Sequence, residues 1–374
     1  KLKFIKKKKK DILIIITGCL ATQEGKNLHN KFPFINIIIG PNTIHKIPNL
    51  INKTIINNKK INKNLTFEID KFKYMNYEKF SSFFIPISEG CNRHCTYCIV
   101  PHTRGKEKNR NFYEIITEVI FLSKQNTKEI ILLGQNVNNF KGIIKKKYKT
   151  NLALIIYYIN EIKNIKRIRF ITSHPLFLSN KILQLFFKIK KLAKSIHIPI
   201  QSGSNKILKI MKRGYKIDDY IEKINILKKK NITISTDIII GFPEENNEDF
   251  IKTISIIKYT KFDKSYSFIY NKRKNTLASK MNNATSYSTK KERLKIIQIL
   301  LNKYTTIINK NMINKKYNIL YSKISKNKKY IEGKTENNRI VKIKNNKNKI
   351  KNKIKIIIIT SKNNSLEGKI IWKI

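Results

Sequence analysis

The sequence predicts an α/β protein whose central part is a partial parallel (β/α)6 barrel. Three observations support this: apolar runs alternate with amphipathic stretches over residues 77–310, a β-α-β-α order precedes them, and only short strand-like runs follow. The 374 residues are 41% hydrophobic, enough for more than one core. We therefore predict three domains, at residues 1–65, 77–310 and 312–374.

The amino-terminal region is predicted to be the back part of a doubly wound α/β domain. It contains strand-like Ile12–Ile16 and Ile35–Ile39 and helical Ala21–Asn30 and Thr43–Leu50. This order implies a parallel sheet covered by helices. A basic run and an apolar stretch before Cys19 are similar to an export signal, but that stretch is shorter than the about seven residues such a signal needs. We therefore expect a buried strand here and a cytoplasmic protein.

Six strand-like runs form the predicted barrel. They are Phe84–Ile87, Glu129–Leu133, Arg167–Thr172, Ser195–Ile200, Thr233–Ile240 and Ser265–Ile269. In parallel β/α folds the chemistry lies at the carboxyl ends of the strands, so the residues just after each run are the candidates for function.

The carboxyl-terminal region is predicted to be a small β-barrel. Its strand-like runs are Tyr317–Tyr321, Tyr330–Glu332, Arg339–Ile343, Lys353–Ile359 and Leu366–Ile371. Small barrels of this kind often bind nucleic acid.

The charge of the chain has two interpretations. The formal net charge is +55, from 79 Lys and Arg against 24 Asp and Glu. Such an excess is typical of proteins that bind a polyanion, most often nucleic acid. Lys, Ile and Asn also occupy positions where any polar residue would serve, which favours a compositional drift of the surface. No apolar run reaches the about 18 residues of a membrane-spanning helix, so no membrane partner is expected.

Three of the four cysteines, Cys91, Cys95 and Cys98, are spaced as C-x3-C-x2-C. Short gaps let one loop surround a compact metal centre, and thiolates prefer soft metals and iron–sulfur clusters. Three thiolates are one short of a closed four-ligand site, so a cluster would keep one iron open to a substrate. The alternative is zinc, with His94 or His102 as fourth ligand, although structural zinc sites usually add a distant second pair of cysteines. The clustering favours a reducing compartment over a disulfide framework.

The strings around and beyond these cysteines resemble the methylthiotransferase branch of the radical S-adenosylmethionine superfamily. An aromatic residue, Tyr97, precedes the last cysteine. Matching strings are distributed along nearly all of the chain. They are TGCLA at 17–21, LLGQNVN at 132–138, SHP at 173–175, PIQSGS at 199–204, MKRGY at 211–215, DIIIGFP at 237–243 and ENNR at 336–339. The last string is similar to the carboxyl-terminal TRAM domain of that branch.

Within the branch, the string at 132–138 resembles the tRNA enzymes that thiomethylate N6-isopentenyladenosine beside the anticodon. The resemblance implies an enzyme that adds a methylthio group to carbon 2 of that adenosine. Threonylcarbamoyladenosine in tRNA and a ribosomal protein stay open as other targets. An RNA-binding remnant without the sulfur-donating cluster is the third alternative.

The resemblance implies [4Fe-4S] clusters and S-adenosylmethionine as cofactors. Cys91, Cys95 and Cys98 match the cluster that reduces S-adenosylmethionine. A second, sulfur-donating cluster takes three cysteines of the amino-terminal domain, and Cys19 matches the last of them. The other two have no match, and because the sequence starts at Lys1 we expect an amino-terminally truncated chain. A small apolar residue at a strand end is the other interpretation of Cys19.

Several further residues match expected contacts of S-adenosylmethionine: Tyr97, Gly134, Gln135, Asn136, Gln201 and Ser202. Ordinary turns or caps are the alternative, and position at a strand end favours function. Asn337, Asn338 and Arg339 are expected to contact RNA, with a solvated surface as the alternative. The implied partners are a tRNA with isopentenyladenosine in its anticodon loop and an electron donor such as flavodoxin or ferredoxin. The chain is expected to be a monomer.

Overall fold

The computed structural model describes residues 2–9, 11–57, 61–62, 81–144, 148–282, 284–325, 328–345, 353–362 and 365–373. They belong to two compact units, one within residues 1–76, 89–108 and 272–279, the other within 77–88, 109–271 and 280–374. The predicted boundary between residues 65 and 77 lies outside the described residues, and the one near 311 lies inside the second unit. The two boundaries between the three predicted domains therefore stay predictions.

The first unit contains the predicted parallel sheet. Its elements are α1 (Leu2–Lys8), β1 (Ile15–Thr17), α2 (Cys19–Lys31), β2 (Ile37–Ile39), α3 (Ile47–Asn57), β3 (Ile61–Asn62) and α4 (Val100–Arg104). The strands pair in parallel in the order β1-β2-β3. Ile38 packs with Ala21 of α2, while Ile37 and Ile39 pack with Leu50 of α3. Both faces of β2 are covered, which is why its sequence is continuously apolar.

The strands from residue 82 to residue 269 follow the predicted order. They are β4 (Ser82–Pro86), β5 (Ser88–Glu89), β6 (Lys108–Asn109), β7 (Glu129–Leu133), β8 (Lys141–Ile144), β9 (Tyr148–Asn151), β10 (Arg167–Phe170), β11 (Ser195–His197), β12 (Thr233–Ile240) and β13 (Asp263–Ile269). Two parallel sheets have the orders β10-β7-β4 and β11-β12-β13. An isolated pairing of Ile168 with Leu192 brings the segment before β11 beside β10. The six predicted barrel strands thus follow one another in chain order, as expected. The β8–β9 hairpin was not predicted.

Helices cover the outer face of these strands. They are α5 (Phe112–Lys124), α6 (Leu152–Glu161), α7 (Asn180–Lys188), α8 (Asn205–Ile210), α9 (Ile217–Lys228), α10 (Asn247–Thr260) and α11 (Tyr287–Lys310). Most begin after an Asn or Ser whose side chain accepts a hydrogen bond from a backbone N–H of the first turn, as Ser179 and Asn246 do. Each such cap stabilises its helix by about 1 kcal/mol. No helix in the described part of the chain is long and apolar enough to cross a membrane.

The carboxyl-terminal residues form a closed five-stranded barrel, as predicted. Its strands are β14 (Lys316–Ile324), β15 (Tyr330–Thr335), β16 (Ile340–Lys344), β17 (Lys353–Lys362) and β18 (Ser365–Lys373). Their order is β14-β15-β16-β18-β17. Alternate residues such as Ile319, Val341 and Ile356 fill a small core.

Two buried arginines join this small barrel to the β/α strands within the second unit. Arg167 on β10 donates to the carbonyl oxygens of Lys334 (2.8 Å) and Thr335 (3.0 Å). Arg339, directly before β16, is 1% exposed and pairs with Asp263 on β13. Burial lowers the pKa of Arg167 to about 10, so the side chain stays charged at neutral pH. The small barrel is therefore held by charge-assisted bonds on two separate strands.

Glu129 on β7 lies at the centre of a buried charge network at the amino-terminal ends of the strands. Its carboxylate is 3.2 Å from Arg169 Nη2, 4.0 Å from Arg167 Nη1 and 2.7 Å from Ser82 Oγ. Arg169 also donates to Ser195 Oγ on β11. Burial raises the pKa of Glu129, but the two arginines and Ser82 outweigh this effect and hold it below the usual value. The network links β4, β7, β10 and β11.

We expect Glu129→Gln to lower the free energy of unfolding by about 3 kcal/mol, because it leaves two buried guanidinium groups without a counter-charge. Urea denaturation followed by circular dichroism measures this change. The matched control is Glu248→Gln, whose exposed pair with Lys252 predicts a change below about 0.5 kcal/mol.

The pH dependence of the same difference is also predicted. Because the folded pKa of Glu129 is lowered, its stabilisation is complete at neutral pH and is lost as the pH falls below about 4. The difference between wild type and Glu129→Gln should therefore shrink in acid. A difference that stays constant down to about pH 3 contradicts this assignment.

Candidate active site

Cys91, Cys95 and Cys98 lie on one loop of the first unit, between β5 and α4. Cys95 is buried and the other two are half-buried, and none of the four cysteines forms a disulfide. The backbone N–H of Arg93 donates to Cys91 Sγ at 3.4 Å. The Cys98 N–H donates to the Cys95 carbonyl at 2.9 Å, which turns the chain between these two ligands.

The backbone of this loop is held on both sides. Gly90 has a φ of +70°, and a Cβ there would lie 2.3 Å from the Lys106 carbonyl oxygen, so only glycine fits. Cys91 N donates to the Gly105 carbonyl at 3.2 Å, and Ala278 N donates to the Thr96 carbonyl at 2.8 Å. These contacts orient the cysteine loop before any cofactor is present.

The donor set fits a cluster better than a single ion. Among the described residues, no group of three or more His, Cys, Asp or Glu side chains is arranged to hold one metal ion. Zinc needs four ligands at about 2.0–2.3 Å from one point, and His94 and His102 are exposed. A cubane takes each thiolate on a different iron, so its cysteines need not converge. Burial raises the pKa of Cys91, and the neighbouring Cys95 raises it further. Thiolates are the form that binds a metal, so binding at Cys91 would release a proton.

The second unit collects buried polar groups without partners at the carboxyl ends of three adjacent strands. Asn136 follows β7 and is 4% exposed, and neither end of its side-chain amide has a hydrogen-bond partner among the described residues. The same holds for the hydroxyls of Ser88, after β4, and Ser173, after β10. Buried polar groups are normally paired, so three such groups at one edge indicate the place of a polar ligand. Sequence reasoning proposed Asn136 and missed both serines.

The loop after β7 is packed tightly at this edge. A Cβ on Gly134 would lie 2.3 Å from Ser88 Oγ, so glycine allows the two strand ends to meet. The amide of Asn138 donates to and accepts from the backbone of His174 at 2.9 Å, and Val137 N donates to the Thr172 carbonyl. Asn138 therefore positions the loop, whereas Asn136 and the half-buried Gln135 are available to a ligand.

Gln201 and Ser202 follow β11 and have different surroundings. Gln201 is 9% exposed with a φ of +71°, a left-handed conformation that is strained for a residue with a long side chain. Thr172, two residues after β10, has the same left-handed conformation, with a φ of +72°. Ser202 is fully buried and accepts from the Ser204 N–H at 3.2 Å, so it shapes the turn. Gln201 keeps its predicted role as a proposal, whereas the geometry does not favour a direct cofactor contact for Ser202.

Two predicted site residues lie in the first unit, apart from the three clustered cysteines. Tyr97 is half-buried within the cysteine loop. Cys19 is half-buried and is the first residue of α2, directly after Gly18 at φ +107°. Helix α2 contacts α4, which begins two residues after Cys98. The roles of Tyr97 and Cys19 stay predictions.

The predicted RNA contacts at 337–339 do not form an exposed group. Arg339 is buried against Asp263, which does not fit its predicted role. The Asn337 side chain accepts from the Thr335 hydroxyl at 2.5 Å and donates to Met312 Sδ at 3.4 Å. Only Asn338 is exposed, at a turn with a φ of +63°. The partner of Arg339 lies far away in sequence, so no local pattern predicts this burial.

Comparison with known proteins identifies first the class and then the family. Residues 85–257 match the family model of the Radical SAM superfamily, which covers the cysteine loop and the strands up to β12. Among solved structures, the cobalamin-dependent S-adenosylmethionine radical enzyme OxsB is similar at a TM-score of 0.48 and 14% identity, over 80% of this chain and 45% of that chain.

Curated relatives match almost the whole chain. The tRNA-2-methylthio-N(6)-dimethylallyladenosine synthase of Buchnera aphidicola subsp. Cinara cedri is 47% identical over 99% of this chain and 87% of its own length. The synthase of Francisella tularensis subsp. holarctica (strain LVS) is 40% identical over 99% of this chain and 85% of its own length. The chain belongs to the family of tRNA-2-methylthio-N(6)-dimethylallyladenosine synthases, which confirms the resemblance seen in its strings.

We expect Cys91→Ala, Cys95→Ala and Cys98→Ala each to remove most of the iron and acid-labile sulfide from anaerobically purified protein, because three thiolates are the minimum for the cluster. His94→Ala and His102→Ala are the controls and should keep both. Metal and sulfide analysis of the five variants decides between cluster and zinc. Zinc without sulfide in the wild type, lost in either histidine variant, contradicts the cluster.

We expect Asn136→Ala to weaken binding of S-adenosylmethionine by roughly 5-fold to 100-fold, the cost of leaving a buried ligand group unpaired. Equilibrium binding to cluster-loaded protein measures this change. Asn160→Ala is the control, since that amide bonds its neighbour Glu161 on α6. Equal affinities for both variants contradict the assignment of Asn136 to the ligand.

Proposed function

We propose that the protein attaches a methylthio group to carbon 2 of N6-dimethylallyladenosine in tRNA. The single observation that carries this proposal is the 47% identity over 99% of the chain to an enzyme named for that product. The loop of three cysteines and the unpaired polar groups at the strand ends support it independently, since they fit the cluster and the cofactor of radical chemistry.

The protein's own residues hold, orient and shield the cofactors. Cys91, Cys95 and Cys98 would bind a [4Fe-4S] cluster, which supplies, with S-adenosylmethionine, the radical that activates the adenine. Asn136 and Ser173 would orient the polar groups of S-adenosylmethionine, and burial of the edge excludes water from them. An electron donor such as flavodoxin or ferredoxin would complete the system, with the enzyme acting as a monomer.

Exposed lysines of the small barrel are proposed to bind the tRNA backbone. They replace the predicted contact of Arg339, since lysines on an exposed surface can neutralise phosphates without a fixed geometry. Among the barrel residues that the structure describes, the exposed lysines are Lys316, Lys323, Lys328, Lys329, Lys344 and Lys369. The acidic side chains described on the same barrel, Glu332, Glu336 and Glu367, are half-buried.

Anaerobic assays test the proposed function. Cluster-loaded protein, S-adenosylmethionine, a reductant and tRNA containing dimethylallyladenosine should give 5′-deoxyadenosine, and protein that also holds the sulfur-donating cluster should give the 2-methylthio nucleoside. Mass spectrometry measures both products. Cys95→Ala should give neither product. Cys19→Ala should still give deoxyadenosine but no methylthio nucleoside, because we propose Cys19 as a ligand of the sulfur-donating cluster.

The alternative targets give different results in this assay. A product from tRNA with threonylcarbamoyladenosine, and none from dimethylallyladenosine, would overturn the proposed substrate. Binding of tRNA without any deoxyadenosine from cluster-loaded wild type would support the RNA-binding remnant instead.

A further inference from the structure

The inner face of the strands β10 to β13 has polar and aromatic side chains beside apolar ones such as Ile171. Ile196 and Ile198, on one side of the β11 segment, belong to the core beneath the helices. Residues on the other side, such as His197 and Ser235, line a cavity of about 200 Å³ together with Arg169 and Tyr266. Closed β/α barrels fill this space with branched apolar residues. An inner face that is polar and aromatic is therefore suited to a ligand.

An exposed aromatic pair lies on this face of β13. The rings of Tyr266 and Phe268 stack with centroids 6.5 Å apart and planes 11° apart. Tyr266 is 61% exposed and Phe268 is 54% exposed, unusual values for large aromatic residues on a strand of a β/α domain. Flat aromatic surfaces of this kind stack on unpaired nucleic-acid bases.

A fixed carboxylate lies next to these rings. Asp237 on β12 is paired in register with Tyr266. His197 Nε2 is 3.3 Å from Asp237 Oδ2, and His197 Nδ1 is 3.0 Å from Ser235 Oγ, so the imidazole is held between two polar groups and orients the carboxylate. The Asp237 side chain is 30% exposed. A carboxylate has about four acceptor positions, so it can also accept an N–H from a ligand.

We infer that Tyr266, Phe268 and Asp237 form the base-recognition surface for the target adenosine, an inference that rests on the proposed function. The rings contact the base and its dimethylallyl chain, and Asp237 accepts the single N–H that remains on N6 after alkylation. A substituent that carries a carboxylate, such as threonylcarbamoyl, is disfavoured next to Asp237 by like-charge repulsion. The two cations on this face, Arg169 and Lys264, lie nearer the amino-terminal ends, and Arg169 is paired with Glu129.

Binding without turnover tests this surface. The probes are fluorescent anticodon stem-loop RNAs that differ only in having dimethylallyladenosine or adenosine at the target position, measured by anisotropy with the full chain. Wild type should prefer the alkylated RNA by at least about 10-fold, from burial of the five-carbon chain. Phe268→Ala and Tyr266→Ala should reduce the preference to less than about 3-fold, because removing either ring uncovers part of the dimethylallyl chain, whose buried carbons contribute about 0.8 kcal/mol each.

Matched variants separate the pocket from general effects. Tyr287→Ala removes an equally exposed tyrosine on α11 and should keep the wild-type preference. Tyr266→Phe keeps the ring and should also keep it. Asp237→Asn should leave this preference in place, because adenosine also offers an N6 N–H, and should strengthen binding of RNA with threonylcarbamoyladenosine by removing the like-charge repulsion. If Phe268→Ala loses its thermal transition, Phe268→Leu, which keeps apolar volume without the ring, gives the same test.

The outcomes distinguish this inference from the proposed function. If Phe268→Ala and Tyr266→Ala melt like wild type and keep the full preference, the pocket is overturned, whether or not the methylthio product forms. A wild type that shows no preference and forms neither deoxyadenosine nor the methylthio product overturns the proposed function itself. Loss of preference in Phe268→Ala and Tyr266→Ala, with Tyr287→Ala unchanged, supports the pocket.

Discussion

The buried carboxylate of Glu129 is the interaction on which the second unit depends. It is fully buried, and a carboxylate in that position costs several kcal/mol unless its partners are in place. Its partners come from β4 and β10, and Arg169 extends the network to β11. Arg167, 4.0 Å from the same carboxylate, donates to carbonyl groups of the small barrel. The alignment of the strands and the docking of the small barrel therefore share one charge, so neither can shift without exposing an unpaired ion.

The arginines and lysines of the chain lie in different places. Only nine of the 79 basic residues are arginine, and those at positions 167, 169, 213, 293 and 339 are buried. Lysine supplies nearly all of the remaining positive charge, mostly on the surface. Arginine is retained where a planar fork must bind several acceptors at once, which an ammonium group cannot do. The surface lysines fit a compositional drift, and they still provide a field that attracts phosphate. Both interpretations of the charge therefore apply to the surface lysines, and neither applies to the buried arginines.

Periodicity located the strands and helices because burial of alternate residues leaves a local pattern. The order of β-strands and the five-stranded barrel followed from it, whereas β3 and the β8–β9 hairpin, which are only two to four residues long, left no pattern. The cysteine spacing predicted the ligand loop, since all three ligands are local. Contacts between distant segments were not predictable. Arg339 was expected to bind RNA, but its partner Asp263 lies 76 residues earlier. Asn136 and Asn138 are indistinguishable in sequence, and only the structure separates a ligand group from a loop brace.

Whether a polar side chain along the strands has a hydrogen-bond partner depends on which end of the strand it lies at. At the amino-terminal ends, Glu129, Arg169 and Ser195 bond one another, so this end contributes stability. At the carboxyl ends, Asn136, Ser88 and Ser173 are buried without partners among the described residues, which costs about 1–3 kcal/mol for each group until a ligand binds. Between them lie Asp237 and the Tyr266–Phe268 pair, which are oriented but partly exposed. The same strands therefore have paired charges at their amino-terminal ends and unpaired neutral polar groups, the candidate ligand site, at their carboxyl ends. For this reason, the effect of a substitution at the amino-terminal ends of the strands should be measured by unfolding. The effect of a substitution at the carboxyl ends should be measured by ligand binding.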